Sequence, residues 1–165
     1  MTTPFRLLPL FALALASACS SYGVATSETP VVAPFSAARA DAAKICVVRG
    51  GVPAPLYTSV VYDNGTLVGA TKDGTYFCYA AEPGKHVILS DATFGDRTAR
   101  LDARAGRVYF LKQAWLFPAV RGHELSWIDE PAARDEMQGD EYALLTEVPA
   151  QQALPDAQTF APAAR

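Results

Sequence analysis

The sequence predicts a mainly β protein, a single antiparallel β-sandwich of about seven or eight strands with one short C-terminal helix. Short β-branched and aromatic runs recur roughly every 8 to 12 residues through the middle of the chain, which is typical of antiparallel sandwiches. Turn residues separate these runs. The clearest turn is Asn64-Gly65, because a two-residue hairpin turn requires positive φ at both central residues. About 100 residues lie between the two polar ends, which is enough for one hydrophobic core.

The predicted strands follow one another along the chain with turns between them. Asp73-Gly74 and Ala105-Gly106 mark two further turns, because glycine interrupts apolar runs at both places. The segments predicted as strands are KICVVR (44–49), three strands within 58–80, KHVILSD (85–91), RTARLDA (97–103), RVYFLKQAWLF (107–117) and HELSWID (123–129).

The single predicted helix is EPAARDEMQ, residues 130–138. Pro131 suits the first turn of a helix, where its missing N–H is not needed. Glu130 and Arg134 are four residues apart and therefore neighbours on a helix surface. Gly139 then favours a helix end, because it accepts the left-handed conformation.

The N-terminus reads as a secretory leader that ends at a cysteine. Arg6 precedes an apolar run of about ten residues, which is typical of a signal peptide and too short to span a bilayer. The sequence Ala16-Ser17-Ala18-Cys19 resembles a bacterial lipobox, although that motif usually carries Leu, Val or Ile where Ala16 stands. We expect Cys19 to be lipidated and to begin the mature chain, with an ordinary A-x-A cut as the alternative.

These features divide the chain into four predicted segments. Residues 1–18 are the lipoprotein signal peptide and residues 19–42 are a flexible tether rich in Ala, Ser, Thr and Pro. The β-sandwich domain follows over residues 43–146. Residues 147–165 form a disordered tail rich in Pro, Ala and Gln.

The predicted location is the cell envelope, with the membrane reached through the N-terminal lipid. Ser20, rather than Asp, follows Cys19, and in this the sequence resembles lipoproteins that are sorted to the outer membrane. We therefore expect the protein at the outer membrane of a two-membrane bacterium, facing the periplasm. The formal net charge is −3, and the loss of Arg6 with the leader makes it one unit more negative. The chain has no excess of basic residues, so we do not expect nucleic acid as a partner. The expected partner is an envelope protein.

Several motifs of the domain resemble a known family. They are a strand ending in Arg before a Gly/Pro loop, a DNGTLVG hairpin, a GTYF strand leading into PGKH, an AGRVYF strand and a closing polar helix. In this order they look like the bacterial lipoprotein domain of unknown function 2846, which is similar to the PEGA-like and prealbumin-like small β-sandwiches. The matching residues are Tyr76, Phe77, Pro83, Gly84, His86, Ala105, Gly106, Tyr109 and Phe110. The resemblance implies a fold and a location, and it implies no activity.

Two cysteines remain once Cys19 carries lipid. An even pair in an oxidising compartment is expected to form a bridge, so we predict a disulfide between Cys46 and Cys78. The alternative is two buried thiols that pack as small hydrophobic groups.

No catalytic template fits the sequence. Cys78 and His86 are eight residues apart across Pro83-Gly84, a spacing that allows a thiol and its base to meet on neighbouring strands. However, the aromatic neighbours of Cys78 would raise the pKa of a free thiol. His86 and His123 stand in no metal-binding motif. We therefore predict no enzyme, no metal and no cofactor, with the alternative of an enzyme or small-ligand-binding lipoprotein whose site lies near Cys78, His86 and the Trp115–His123 loop.

The loop between the last two strands is the candidate partner site. It combines apolar and cationic side chains in a connection, and exposed apolar loops often mark binding surfaces. Packing of this loop into the core is the alternative. The candidate residues are Trp115, Leu116, Phe117, Arg121 and Trp127.

Overall fold

A computed structural model describes residues 22–51, 58–91, 98–115 and 123–148. In these ranges the chain forms ten strands and one short helix. The elements are β1 (Gly23–Ser27), β2 (Ala43–Arg49), β3 (Ser59–Asp63), β4 (Thr66–Thr71), β5 (Thr75–Ala81), β6 (Gly84–Ser90), β7 (Thr98–Ala103), β8 (Val108–Trp115), β9 (His123–Ile128), α1 (Glu130–Glu136) and β10 (Glu141–Glu147).

The strands form two sheets, as the sandwich prediction requires. The six-stranded sheet has the order β1-β10-β5-β2-β8-β9, and the four-stranded sheet has the order β4-β3-β6-β7. The eight predicted strands correspond to β2 through β9. The hairpin between β3 and β4 turns at Asn64 (φ 48°) and Gly65 (φ 83°), so the positive φ values expected of this turn are present.

Two pairings in the six-stranded sheet are parallel, whereas the sequence predicts antiparallel pairing throughout. β8 runs parallel to β2 because the chain first builds β6 and β7 in the other sheet and then returns beside β2. β10 runs parallel to β5. The register places the end of β9 and the start of β10 at opposite ends of the sheet, so α1 carries the chain back between them.

The apolar core lies between the two sheets. Alternate residues of β2 and their partners on β5 and β8 point to the four-stranded sheet, and these include Ile45, Phe77 and Leu111. The sheets approach closely at Gly69 of β4, where an added Cβ would lie 2.5 Å from the Phe77 ring. A glycine is therefore required at this position by packing.

All seven residues of β2 are buried, because the other face of the six-stranded sheet is also covered. Ala133 of α1 is fully buried against it. Phe35 packs on Phe110 of β8 with ring centroids 5.6 Å apart, and the guanidinium of Arg134 lies 3.9 Å from the centre of the Phe35 ring. The described residues therefore form three layers: the four-stranded sheet, the six-stranded sheet, and a layer of helix and N-terminal chain.

The prediction of a flexible tether over residues 19–42 is wrong for residues 22–42. β1 pairs with β10, with Val24 opposite Leu145 and Ser27 opposite Tyr142. Lys44 Nζ donates hydrogen bonds to the carbonyl oxygens of Ala33 (2.7 Å) and Ser36. Composition concealed this order because β1 has no apolar run of its own, and its backbone finds partners on a strand more than 100 residues later in the chain.

The predicted helix is confirmed, with bounds Glu130–Glu136. Asp129 caps its N-terminus, and the Asp129 side chain accepts a hydrogen bond of 3.0 Å from the Ala132 N–H. Arg134 donates to Glu130 Oε1, as the spacing of four predicts. Residues 1–21, with the predicted signal peptide and Cys19, and residues 149–165 of the predicted tail lie outside the described residues.

Candidate functional site

Tyr22 directly precedes β1, the edge strand of the six-stranded sheet, and its side chain reaches the four-stranded sheet. The hydroxyl oxygens of Tyr22 and Tyr62 are 2.9 Å apart, in a hydrogen bond between residues 40 positions apart. Burial and this bond to Tyr62 raise the pKa of the Tyr22 phenol. The predicted lipidation residue, Cys19, comes three residues before Tyr22.

Tyr62 points away from the other sheet. Its neighbours Val61 and Asp63 alternate with it along β3, and Asp63 points inward to contact Tyr79 of β5. Residues opposite Tyr62 share its direction, and these are Leu67 on β4 and Leu89 on β6. We call this surface the outer face of the four-stranded sheet. Tyr62, Leu67, Val87 and Leu89 are its half-buried apolar residues.

The predicted disulfide between Cys46 and Cys78 is confirmed. The two residues are directly opposite each other on β2 and β5, and their sulfur atoms are bonded. Both residues are buried beneath the layer of helix and N-terminal chain, and Tyr142 donates a hydrogen bond of 3.3 Å from its hydroxyl to the Cys78 carbonyl oxygen. The disulfide thus joins the two central strands of the larger sheet.

The alternative site that pairs Cys78 with His86 does not form. Cys78 is in the disulfide, so its sulfur is not available as a thiolate nucleophile. Its chain neighbour Tyr79 points to the opposite face of the sheet, towards Asp63 and His86. β5 and β6 follow each other directly in the chain across the turn at Pro83-Gly84, but they belong to different sheets.

His86 instead belongs to a buried polar cluster between the sheets. Its Nδ1 lies 2.7 Å from Asp63 Oδ2, and its Nε2 lies 2.8 Å from the carbonyl oxygen of Glu82. Tyr79 donates a hydrogen bond of 3.0 Å to the same oxygen of Asp63. Burial, followed by the charge of Asp63, raises the pKa of the Tyr79 phenol. Both nitrogens of the imidazole are therefore engaged within the fold.

A second buried polar group lies where β4, β6 and β8 end. The Gln113 side chain accepts a hydrogen bond of 2.6 Å from Thr71 Oγ1 and donates one of 2.8 Å to Ser90 Oγ. Arg49 Nη1 lies 3.4 Å from Ser59 Oγ close by, and burial lowers the pKa of the Arg49 guanidinium. Because these bonds join the two sheets, they hold one sheet in register against the other.

Sequence reasoning missed Asp63, Tyr79 and Gln113 as members of these clusters. The available signal was the alternation of side chains along a strand. Asp63 stands two residues after Val61 and therefore on the same, buried side of β3. A polar residue at an inward position predicts a buried partner. The identity of the partner was not predictable, because it comes from another strand.

The candidate partner-binding residues fall into two groups. Trp115 ends β8 opposite His123, and Leu116, Phe117 and Arg121 lie outside the described residues. Trp127 is half-buried on β9. Its indole N–H donates a hydrogen bond of 3.0 Å to the Arg100 carbonyl oxygen, and its ring meets the Tyr109 ring edge-on. Trp127 therefore connects the edge strands of the two sheets, β9 and β7.

Asp140 is a half-buried acidic residue that follows α1 in the chain. Burial, together with the nearby charges of Glu136 and Asp73, raises its pKa to about 6. Lys112 forms an ion pair with Glu136. Among the described residues, no group of three His, Cys, Asp or Glu side chains is placed to hold a metal ion.

The described ranges also contain no helix that is long and apolar enough to cross a membrane. The fold and the disulfide define a small, disulfide-bonded protein of two packed sheets. Its sequence matches the family model "Protein of unknown function (DUF2846)" over residues 39–123, about half of the chain, and the chain belongs to this family. No curated protein and no solved structure matches it.

Proposed function

We propose that this protein is a lipid-anchored, non-enzymatic β-sandwich of the cell envelope with a structural or partner-binding role. Its anchor is an acyl group on Cys19, and its location is the outer membrane of a two-membrane bacterium, facing the periplasm. The proposal combines the secretory leader with the pairing of the cysteines in the fold.

The distribution of the three cysteines carries this proposal. Cys46 and Cys78 bond to each other, which supports an oxidising compartment and therefore export. The remaining cysteine is Cys19, at the end of the apolar leader. A cysteine left over from a disulfide set in an exported protein has another use, and its position at the cut favours acylation.

The non-enzymatic role is supported by the engagement of the reactive side chains in the described part of the chain. Cys78 is in the disulfide and both ring nitrogens of His86 have partners, so neither side chain is available as nucleophile or base. The buried polar groups connect strands to one another. They support a rigid scaffold.

Expression in a two-membrane bacterium and intact-mass measurement of the mature chain test the anchor. The expected product begins at Cys19, carries the mass of its acyl chains and sediments with the membranes. A Cys19→Ala variant should lose both properties, and a Ser21→Ala variant should keep them. An unmodified mature N-terminus in the soluble periplasmic fraction would contradict the proposal and make the protein a secreted soluble one.

The proposed partner is another envelope protein, bound at the segment of Trp115, Leu116, Phe117 and Arg121, while Trp127 lies farther along β9, opposite Leu111. A photo-crosslinking residue at position 121 in the native envelope tests this site. Position 135, exposed on α1, is the matched control. We expect one discrete adduct from position 121. Equal labelling from both positions would contradict a partner site at this segment.

A further inference from the structure

We propose that the outer face of the four-stranded sheet lies directly on the lipid surface, because the folded domain begins almost at the anchor. This inference rests on the proposed acylation of Cys19. The sequence predicts a tether of more than twenty residues that would let the domain stand away from the membrane. Here only Ser20 and Ser21 separate the anchor from Tyr22, so the domain is held against the membrane.

The first argument is the length of chain between the anchor and the fold. Tyr22 is already attached, because its hydroxyl bonds to that of Tyr62. Three residue steps of at most about 3.6 Å each separate Cys19 from Tyr22, so their Cα atoms lie within about 11 Å of each other. The acyl chains therefore enter the bilayer close to the place where Tyr22 meets the sheet.

The second argument is the position of that attachment. Tyr62 points outward from β3, and the negative charge of Asp91, which directly follows β6, contributes to the raised pKa of the Tyr22 phenol. Tyr22 therefore lies over the strands β3 and β6, on the outer face of their sheet. An anchor just before Tyr22 therefore brings this face towards the membrane.

The third argument is the chemistry of the two sides of the molecule. The outer face carries Tyr62, Leu67, Val87 and Leu89, and tyrosine is enriched where proteins meet the headgroup region. The exposed cations Lys85 and Arg100 flank Val87 on the same face, and the exposed Asp102 lies directly opposite Lys85, so the face is half apolar and carries charges of both signs.

The opposite side of the molecule carries the helix layer, where Arg134 forms an ion pair with Glu130. Glu130, Arg134 and Asp135 are exposed there, so this side also carries charges of both signs. Charge does not distinguish the two sides, and the orientation therefore rests on the length and the attachment of the chain before Tyr22.

A fluorescence experiment on the acylated full-length protein tests the orientation. A single new cysteine, Lys85→Cys on the outer face or Asp135→Cys on α1, accepts a fluorophore selectively, since Cys19 is acylated and the other two cysteines are bridged. The protein is inserted into phosphatidylethanolamine–phosphatidylglycerol vesicles that contain a lipid-attached quencher. Because two packed layers of about 10 Å each separate the positions, we expect at least about threefold more quenching at position 85.

The outcomes separate the two proposals. Acylated protein with equal quenching at both positions, or with more at position 135, would overturn the orientation and leave the anchor intact. An unmodified Cys19 in the same sample would overturn both. Ten Gly and Ser residues inserted between Ser21 and Tyr22 should reduce the quenching at position 85, and unchanged quenching would overturn the short connection as its cause.

Discussion

At the scale of single residues, Asp140 is expected to make the stability of the fold depend on pH. Its pKa is raised to about 6, whereas an aspartate in an unfolded chain titrates near 4. The unfolded chain therefore loses this proton at lower pH, and the fold loses stability as the pH rises from about 4 through 6. The cause is the removal of the charged carboxylate from water beside Glu136 and Asp73.

Replacing Asp140 by Asn should remove this penalty. We expect Asp140→Asn to raise the free energy of unfolding at pH 8 by about 1 kcal/mol, a value reduced for the partial exposure of the group, and to leave it unchanged at pH 4. Urea unfolding at both pH values measures the effect. Asp102→Asn, at an exposed position on β7, is the control and should show no such difference. An equal gain at both pH values would contradict the prediction.

The cluster of Asp63, Tyr79 and His86 should respond unequally to two substitutions. Asp63→Ala leaves both the Tyr79 hydroxyl and His86 Nδ1 without their shared acceptor in a buried place, so we expect a loss of about 3 kcal/mol. Tyr79→Phe removes a single hydrogen bond and should cost about 1 kcal/mol. Urea unfolding at pH 7 compares the two variants. A loss from Tyr79→Phe as large as that from Asp63→Ala would argue against the shared acceptor.

At the scale of elements, the close approach of β4 to β5 depends on Gly69. An added Cβ would lie 2.5 Å from the Phe77 ring, which cannot shift freely in a packed core. Gly69→Ala should therefore lower the free energy of unfolding by about 1 to 3 kcal/mol. Gly51→Ala is the matched control, because no atom lies within 4 Å of the added Cβ there. Thermal unfolding of both variants tests the prediction, and equal melting temperatures would refute it.

The disulfide should stabilise the pair of central strands β2 and β5. It closes a sequence separation of 32 residues, which the chain-entropy model values at about 3 to 4 kcal/mol. Reductant should therefore lower the urea midpoint of the native protein. The double variant Cys46→Ala/Cys78→Ala should unfold near the reduced midpoint and be insensitive to reductant. A reductant effect of equal size on the double variant would show that the disulfide is not the cause.

At the scale of the whole molecule, Tyr22 and β1 are part of the folded unit. A fragment of residues 43–148 follows the domain boundary predicted from composition, but it lacks β1, the packing of Phe35 and the carbonyl partners of Lys44. We expect it to melt at least about 10 °C below a fragment of residues 22–148, since each lost kcal/mol lowers the melting temperature of a domain this size by several degrees. Calorimetry of both fragments, with the disulfide intact, measures the two melting temperatures. Equal melting temperatures would contradict the prediction and support a flexible tether before residue 43.

Local sequence was sufficient for eight strands, the helix and the family. The Asn64-Gly65 turn, the capped start of α1 and the strand periods each depend on residues a few positions apart, so they can be read directly from the chain. The disulfide was predicted from cysteine count and compartment. Its placement between directly opposed residues of β2 and β5 is a matter of register, which the count does not contain.

The remaining features depend on contacts between distant parts of the chain. β1 becomes ordered because β10 offers it a backbone edge, and β2 and β8 become parallel neighbours because the intervening strands form the second sheet. His86 and Cys78 separate because neighbouring residues of a strand face opposite ways and their strands join different sheets.

The same division applies to the membrane anchor. The leader and Cys19 form a short linear motif, so they can be predicted from the sequence without knowledge of the fold. The side of the protein that meets the anchor depends on Tyr22 and Tyr62, whose hydroxyls meet across 40 positions of sequence. A contact at that separation forms only because the packing of both sheets offsets the entropy lost on closing the loop. It therefore cannot be predicted from any local sequence pattern.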